Sequence, residues 1–181
     1  MTRARDLADS ADKDITGTLT LDGLTVAGNV SVDSGTVKLD GNYPDGSNNV
    51  ALGDTALDSL DGSSPGGSNV AIGSGALTAN TTGSNNTALG YQSLKANTTG
   101  QNNSVIGYQA AYTNTTGASN AVLGHSALYS NTIGTNNVAI GRQALYTNTE
   151  GDEQVAVGRQ ALYLNTTGTS NTAVGWASLS N

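Results

Sequence analysis

The chain has 181 residues, of which only 12% are charged; it has no cysteine, one histidine and a net charge of −7. Zero cysteines exclude disulfides and thiolate metal sites, a single histidine excludes a histidine-based metal centre within one chain, and the scarcity of Lys and Arg argues against nucleic acid as a partner. With 24 glycines and 4% aromatics the composition would suit a disordered linker, yet such a linker has no reason to repeat its leucines at a fixed spacing, as this chain does.

Residues 1–14, MTRARDLADSADKD, place Ala4, Leu7, Ala8 and Ala11 at helical spacing behind Thr2 as a cap. The apolar face is thin, so this short leader helix needs a partner to be stable, and Arg3, Arg5 and Leu7 are its candidate docking residues. No stretch here has the apolar length of a signal peptide, and none later approaches membrane-spanning length. Residues 15–41 alternate apolar with polar side chains and carry glycines at 17, 23, 28, 35 and 41. That pattern predicts a small β linker of short strands and tight turns.

Residues 1–61 hold eleven of the fourteen acids and four of the seven bases, whereas residues 62–181 hold three of each. The remainder, 42–181, reads as eight repeats. Gly53, Gly73, Gly90, Gly107, Gly124, Gly141, Gly158 and Gly175 each follow an aliphatic residue; the first step is 20 residues and the later ones 17. The longer step coincides with DSLDGSSPGG, an insertion expected in a turn. A second glycine keeps the same beat from Gly83 to Gly168. Seventeen residues are too few for a helical hairpin, and Asn, Thr and Gly oppose helix, so two short strands per repeat are expected, stacked about 4.8 Å apart and extending roughly 35–40 Å.

Aligned columns then suggest which side chains face where. Leu52, Ile72, Leu89, Ile106, Leu123, Ile140, Val157 and Val174 precede the glycine; one place earlier are Ala51, Ala71, Ala88, Val105, Val122, Ala139, Ala156 and Ala173. Neighbours on a strand point to opposite faces. The large column is expected inside the coil, and the small column is expected to form a trimer interface against further copies of the chain. Leu57, Leu77, Leu94, Ala111, Leu128, Leu145, Leu162 and Leu179 follow the glycine by four. Asparagine precedes it by four, from Asn49 to Asn171, with Gln154 the exception.

The strings NNVALG, SNVAIG, NNTALG, NNSVIG, NNVAIG and NTAVG resemble the head repeat of YadA-like trimeric adhesins over residues 47–181. The resemblance implies a left-handed parallel β-roll, a β-solenoid with 17-residue repeats, in a homotrimeric fibre. The sequence shows neither that family's secretion signal nor its carboxy-terminal membrane barrel, which favours the other setting of such rolls, the tail fibres of bacteriophages. The opening MTRARDLADSADKDITGTLTLDGLTVAGNVSV is similar to the start of phage tail-fibre proteins, where a short leader attaches to the virion.

The expected protein is therefore an all-β structural and adhesive virion subunit, not an enzyme. It needs no cofactor, forms a homotrimer, docks on phage tail or baseplate proteins through its N-terminus, and meets a host surface glycan or protein. A bacterial surface adhesin fragment is the main alternative and an ice-binding β-solenoid the next. Tyr112, Tyr129, Tyr146 and Tyr163 recur at the period and form the candidate receptor or glycan surface, although packing of the stacked rings accounts for them more simply. Thr81, Thr98, Thr115, Thr132, Thr149 and Thr166 form the column that an ice-binding surface would use, beside a glycine turn whose chemistry also explains them. Glu150, Asp152 and Glu153 are the only acids of the regular repeats, all in one turn. They give no repeated carboxylate pair of the kind glycosidases use. Asp54, Asp58 and Asp61 match no calcium loop. Asn80, Asn97, Asn102, Asn114 and Asn165 fit the glycosylation pattern, which carries no weight in a bacterial or phage setting.

Overall fold

The computed structural model describes residues 48–60 and 66–180. The expected leader 1–14 with Arg3, Arg5 and Leu7, and the β linker 15–41, lie outside the described residues. The described residues form eight strands, β1 Val50–Leu52, β2 Val70–Ile72, β3 Thr87–Leu89, β4 Ser104–Ile106, β5 Ala121–Leu123, β6 Val138–Ile140, β7 Val155–Val157 and β8 Thr172–Val174. They form one parallel sheet in chain order. The fold is an all-β solenoid, and each coil takes the number of its strand.

Register follows the glycine beat. Ala51 lies opposite Ala71 across the 20-residue step, and Ala71 lies opposite Ala88 across the first of the 17-residue steps. The three extra residues of coil 1 fall between Leu60 and Gly66. On one side Leu57 N–H donates to the Ala76 carbonyl just as Leu77 donates to Ser93. On the other, Asn49 Nδ2 reaches Gly66 O across 17 positions where Asn69 reaches Gly83 O across 14.

Each coil has one three-residue strand where the sequence suggests two. The opposite wall is also laddered, with Leu94 N–H donating to Ala110 O at 3.0 Å and Ala96 N–H to Tyr112 O at 3.1 Å. Its backbone turns left-handed at alternate residues, with φ of 52° at Gln92 and 51° at Leu94, so no pleat can form. A leucine in that conformation costs about 1–2 kcal/mol. Full burial of its side chain returns about 2 kcal/mol, so the two nearly offset and the coil-to-coil hydrogen bonds decide.

The two strand columns face opposite to the sequence expectation. Ala71, Ala88, Val105, Ala139 and Ala156 are wholly buried inside the coil, Val122 and Ala173 nearly so, and Ala51 packs on the same core. Seven of these eight side chains are enclosed by their own chain and cannot form the surface between chains, and the partly buried Ala51 points inward with them. The large column points outward, with Leu52 45%, Leu123 49% and Val174 67% exposed. Space is the reason. The far wall fills the interior with Leu57, Leu77, Leu94, Leu128, Leu145 and Leu162, each next to a buried Ala or Ser. A narrow close-packed coil then has room only for Ala or Val on the strand side.

Polar groups complete the interior as two ladders. In one, the backbone N–H of Asn69, Asn86, Asn103, Asn120, Asn137, Gln154 and Asn171 each takes the side-chain oxygen one coil before, at 2.8–3.1 Å. Gln154 keeps the pattern, since its amide still reaches the Gly168 carbonyl. In the other, the amides of Asn97, Asn114, Asn131, Asn148 and Asn165 donate to the preceding asparagine at 2.6–3.1 Å. Among the described residues no buried side-chain nitrogen or oxygen lacks a partner, which is what burial of so much amide requires.

The glycines are fixed by this stacking. Gly73 has φ of 130°, and a Cβ there would lie 2.7 Å from the carbonyl carbon of Gly90. Gly100 has ordinary φ, but its Cβ would strike Asn97 Oδ1 and the Gly117 carbonyl.

Candidate functional site

Because the interior is fully committed to packing, the chemistry available for recognition lies on the outside of the coils. Strand alternation puts the aliphatic column there, flanked on the same face by Val50, Val70, Thr87, Ser104, Ala121, Val138, Val155 and Thr172, all at least partly exposed. Eight successive coils therefore present a flat face of large aliphatic side chains, exposed apolar area of the kind that marks contact with another molecule.

Past the ruler glycine the chain projects a second column. Tyr91 stacks on Tyr108 with centroids 5.3 Å apart, and Tyr108 on His125 at 5.0 Å. Arg142, Arg159 and Trp176 continue it, all exposed. The sequence places these residues together, and the structure resolves them into an aromatic part and a cationic part.

Tyr112, Tyr129, Tyr146 and Tyr163 form the expected ladder, with every neighbouring pair stacked at 5.2 Å. Ring stacking of this sort is worth about 0.5–1.5 kcal/mol per pair. Lys95 Nζ covers the outer face of Tyr112 at 5.4 Å from the ring centre. The inner faces are thus occupied by one another, and Tyr163, at the end of the ladder, lines a cleft of about 220 Å³ with Gln160, Leu164, Ala177 and Ser180. The Tyr129 hydroxyl is pushed above its ordinary value of 10.0, first by burial and then by repulsion from Tyr146, Tyr112 and Tyr108, against a smaller pull from Lys95.

Threonine hydroxyls are used internally. Those of Thr81, Thr98, Thr115, Thr132 and Thr149 donate to the carbonyl of the next threonine in the column, at 2.9–3.2 Å. They are not a free row of hydroxyls awaiting ordered water. Asn80, Asn97 and Asn114, which match the glycosylation pattern, are buried in the second amide ladder, while Asn102 is exposed and Asn165 half-buried. That ladder is the feature the sequence reading misses, although the unbroken asparagine at 80, 97, 114, 131, 148 and 165 signals it.

The acids stay at the surface. Asp152 Oδ1 accepts from the backbone N–H and hydroxyl of Thr135 at 2.6 and 2.9 Å, and Glu153 accepts from Ser170 Oγ at 3.1 Å. Asp54 and Asp58 are exposed, while Asp61 lies outside the described residues. Among the described residues no group of three His, Cys, Asp or Glu could hold a metal ion, and no helix is long and apolar enough to cross a membrane. No protein-family model, no curated protein and no solved structure matches the chain.

Proposed function

We propose that the chain is a structural and adhesive fibre subunit: a homotrimeric tail-fibre protein of a bacteriophage virion, built on a left-handed β-roll similar to the YadA-like adhesin head. The single observation that carries this proposal is the outward face of Leu52, Ile72, Leu89, Ile106, Leu123, Ile140, Val157 and Val174, repeated on every coil of one continuous sheet. Such a face costs solubility unless another surface covers it, and further copies of a repeating rod supply the same face at the same spacing. The large column thereby takes the interface role that the sequence gives to the small one.

In this function the coils act mechanically. They hold a stiff shaft by backbone ladders and packed side chains, with no reaction to perform. The N-terminal leader would dock on tail or baseplate proteins, and the tyrosine ladder would lie on the outside, with Tyr163 as its one ring offered to a host glycan.

Two measurements test the proposal. Light scattering on the purified chain should return three times the 18.1 kDa mass; a stable monomer at micromolar concentration removes the trimer. Gold-labelled antibody against the chain should decorate tail fibres in micrographs of virions. Label on a bacterial envelope instead would replace the phage setting with a surface adhesin.

A further inference from the structure

The two rims of the strand face differ in charge. Two places before each strand the chain has Asn or Ser in seven coils, and Glu153 in coil 7. Two places after each strand it has Arg142 in coil 6 and Arg159 in coil 7, with no carboxylate except Asp54 in coil 1. Glu153, Arg142 and Arg159 are all exposed. Within the chain, β7 separates Glu153 from Arg159 by six residues of mainly extended backbone, roughly 20 Å. Among the described residues, neither guanidinium has a hydrogen-bond or ion-pair partner in its own chain.

We propose that copies of this chain associate side by side, parallel and without axial shift, with Glu153 of one copy set against Arg159 of the next. This rests on the association proposed above and specifies its register. When chains are related by rotation about an axis along the coil stack, the rim before the strands of one copy meets the rim after the strands of the next, at equal height. Glu153 and Arg159 flank the same strand, so they arrive at the same level. An antiparallel pair instead sets like rim against like rim and coil 7 against coil 2, where the flanking residues are Ser68 and Ser74.

Closure decides between the two arginines. A ring of identical contacts returns to its start only if each step has no translation along the axis. That selects Arg159, on the same coil as Glu153, and leaves Arg142 one rung away, about 4.8 Å along the stack and inside the screening length. The aliphatic face is nearly the same on every coil and so tolerates slippage by one rung. A charge pair confined to the coil 6–7 level removes that degeneracy, a use of ionic groups for register more than for affinity.

The test uses the full chain, which has no cysteine of its own. Glu153→Cys with Arg159→Cys should give covalent oligomers on mild oxidation, whereas Ser74→Cys with Arg159→Cys, matched to the antiparallel arrangement, should not. Glu153→Arg should raise the concentration of half-assembly roughly tenfold or more, as several repelling rim contacts imply. Adding Arg142→Glu and Arg159→Glu should restore it. Cross-linking by the Ser74 pair, no cross-linking in an assembled chain, or indifference to charge reversal would each overturn the register while leaving association intact. A monomeric wild-type chain would instead sink the association itself.

Discussion

Ala139 and Ile140 are consecutive in β6, yet Ala139 is wholly buried in the coil and Ile140 is 38% exposed on the outer face. The pair separates folding from the assembly proposed above. Ala139→Lys puts an ammonium and a long stem into space that held a methyl group, and should cost about 3 kcal/mol or more, enough to unfold the coil. Ile140→Lys should leave the folded chain within about 1 kcal/mol of wild type and lower its assembled fraction. Circular dichroism melting combined with light scattering checks both. A folded, dissociated Ala139→Lys chain would restore the small column as the outer surface.

Asn103, wholly buried, both donates and accepts within the amide row. Its N–H and side-chain amide both go to Asn86 Oδ1, at 3.0 and 3.1 Å, and the same amide donates to Gly117 O at 2.9 Å. Asn103→Asp keeps the shape, removes both side-chain donors and buries a carboxyl group. We expect a loss of about 3 kcal/mol, with Asn103→Leu also destabilising because the Asn86 and Gly117 acceptors lose a donor. The same Asp substitution at exposed Asn102 should be nearly silent, as chemical denaturation would show.

Gly124 has φ of 147°, and a Cβ on it would run into the Gly141 carbonyl. Gly124→Ala should therefore cost about 2 kcal/mol or more, through strain and loss of the close coil-to-coil approach together. The midpoint of urea unfolding is the readout. An unchanged midpoint would mean the turn can relax without breaking the stack.

Alkali should loosen the tyrosine ladder. The Tyr129 hydroxyl has a raised pKa in the folded chain, so the folded state holds that proton to higher pH than the unfolded state. Its stabilising contribution is fully present below the unfolded value of about 10 and is lost as pH rises through the folded value. Melting temperature should fall across that range, and Tyr129→Phe should flatten the fall. An equally steep fall in the variant would place the effect elsewhere.

The period, the parallel order and the insertion in coil 1 were all legible in the sequence, because glycines that cannot change identity mark every turn. Side-chain direction was not. Alternation along Ala88–Leu89 fixes that the two differ in face but not which is inside, and size alone suggests the leucine. What settles it is the opposite wall: Leu94 enters the core from a left-handed backbone, a conformation that no propensity assigns to leucine. The Asn80 ladder was hidden for a related reason. Asn-Thr-Thr-Gly reads locally as turn chemistry, and only the next coil reveals that its amide bonds run between turns. The candidate tyrosines were found, but their stacking spends most of the ring faces on one another.

The head-to-tail amide rows have a consequence for how long such a solenoid can be. Asn86 offers Asn103 the same oxygen that Asn103 offers Asn120, so excising residues 103–119 would bring Asn120 onto Asn86 with no change at the joint. Length is therefore available in whole rungs of about 4.8 Å, gained or lost by copying or dropping one beat, while part of a beat is accommodated only where it leaves the rows in register, as the three extra residues of coil 1 do, with Asn69 N–H still donating to Asn49 Oδ1 at 2.8 Å.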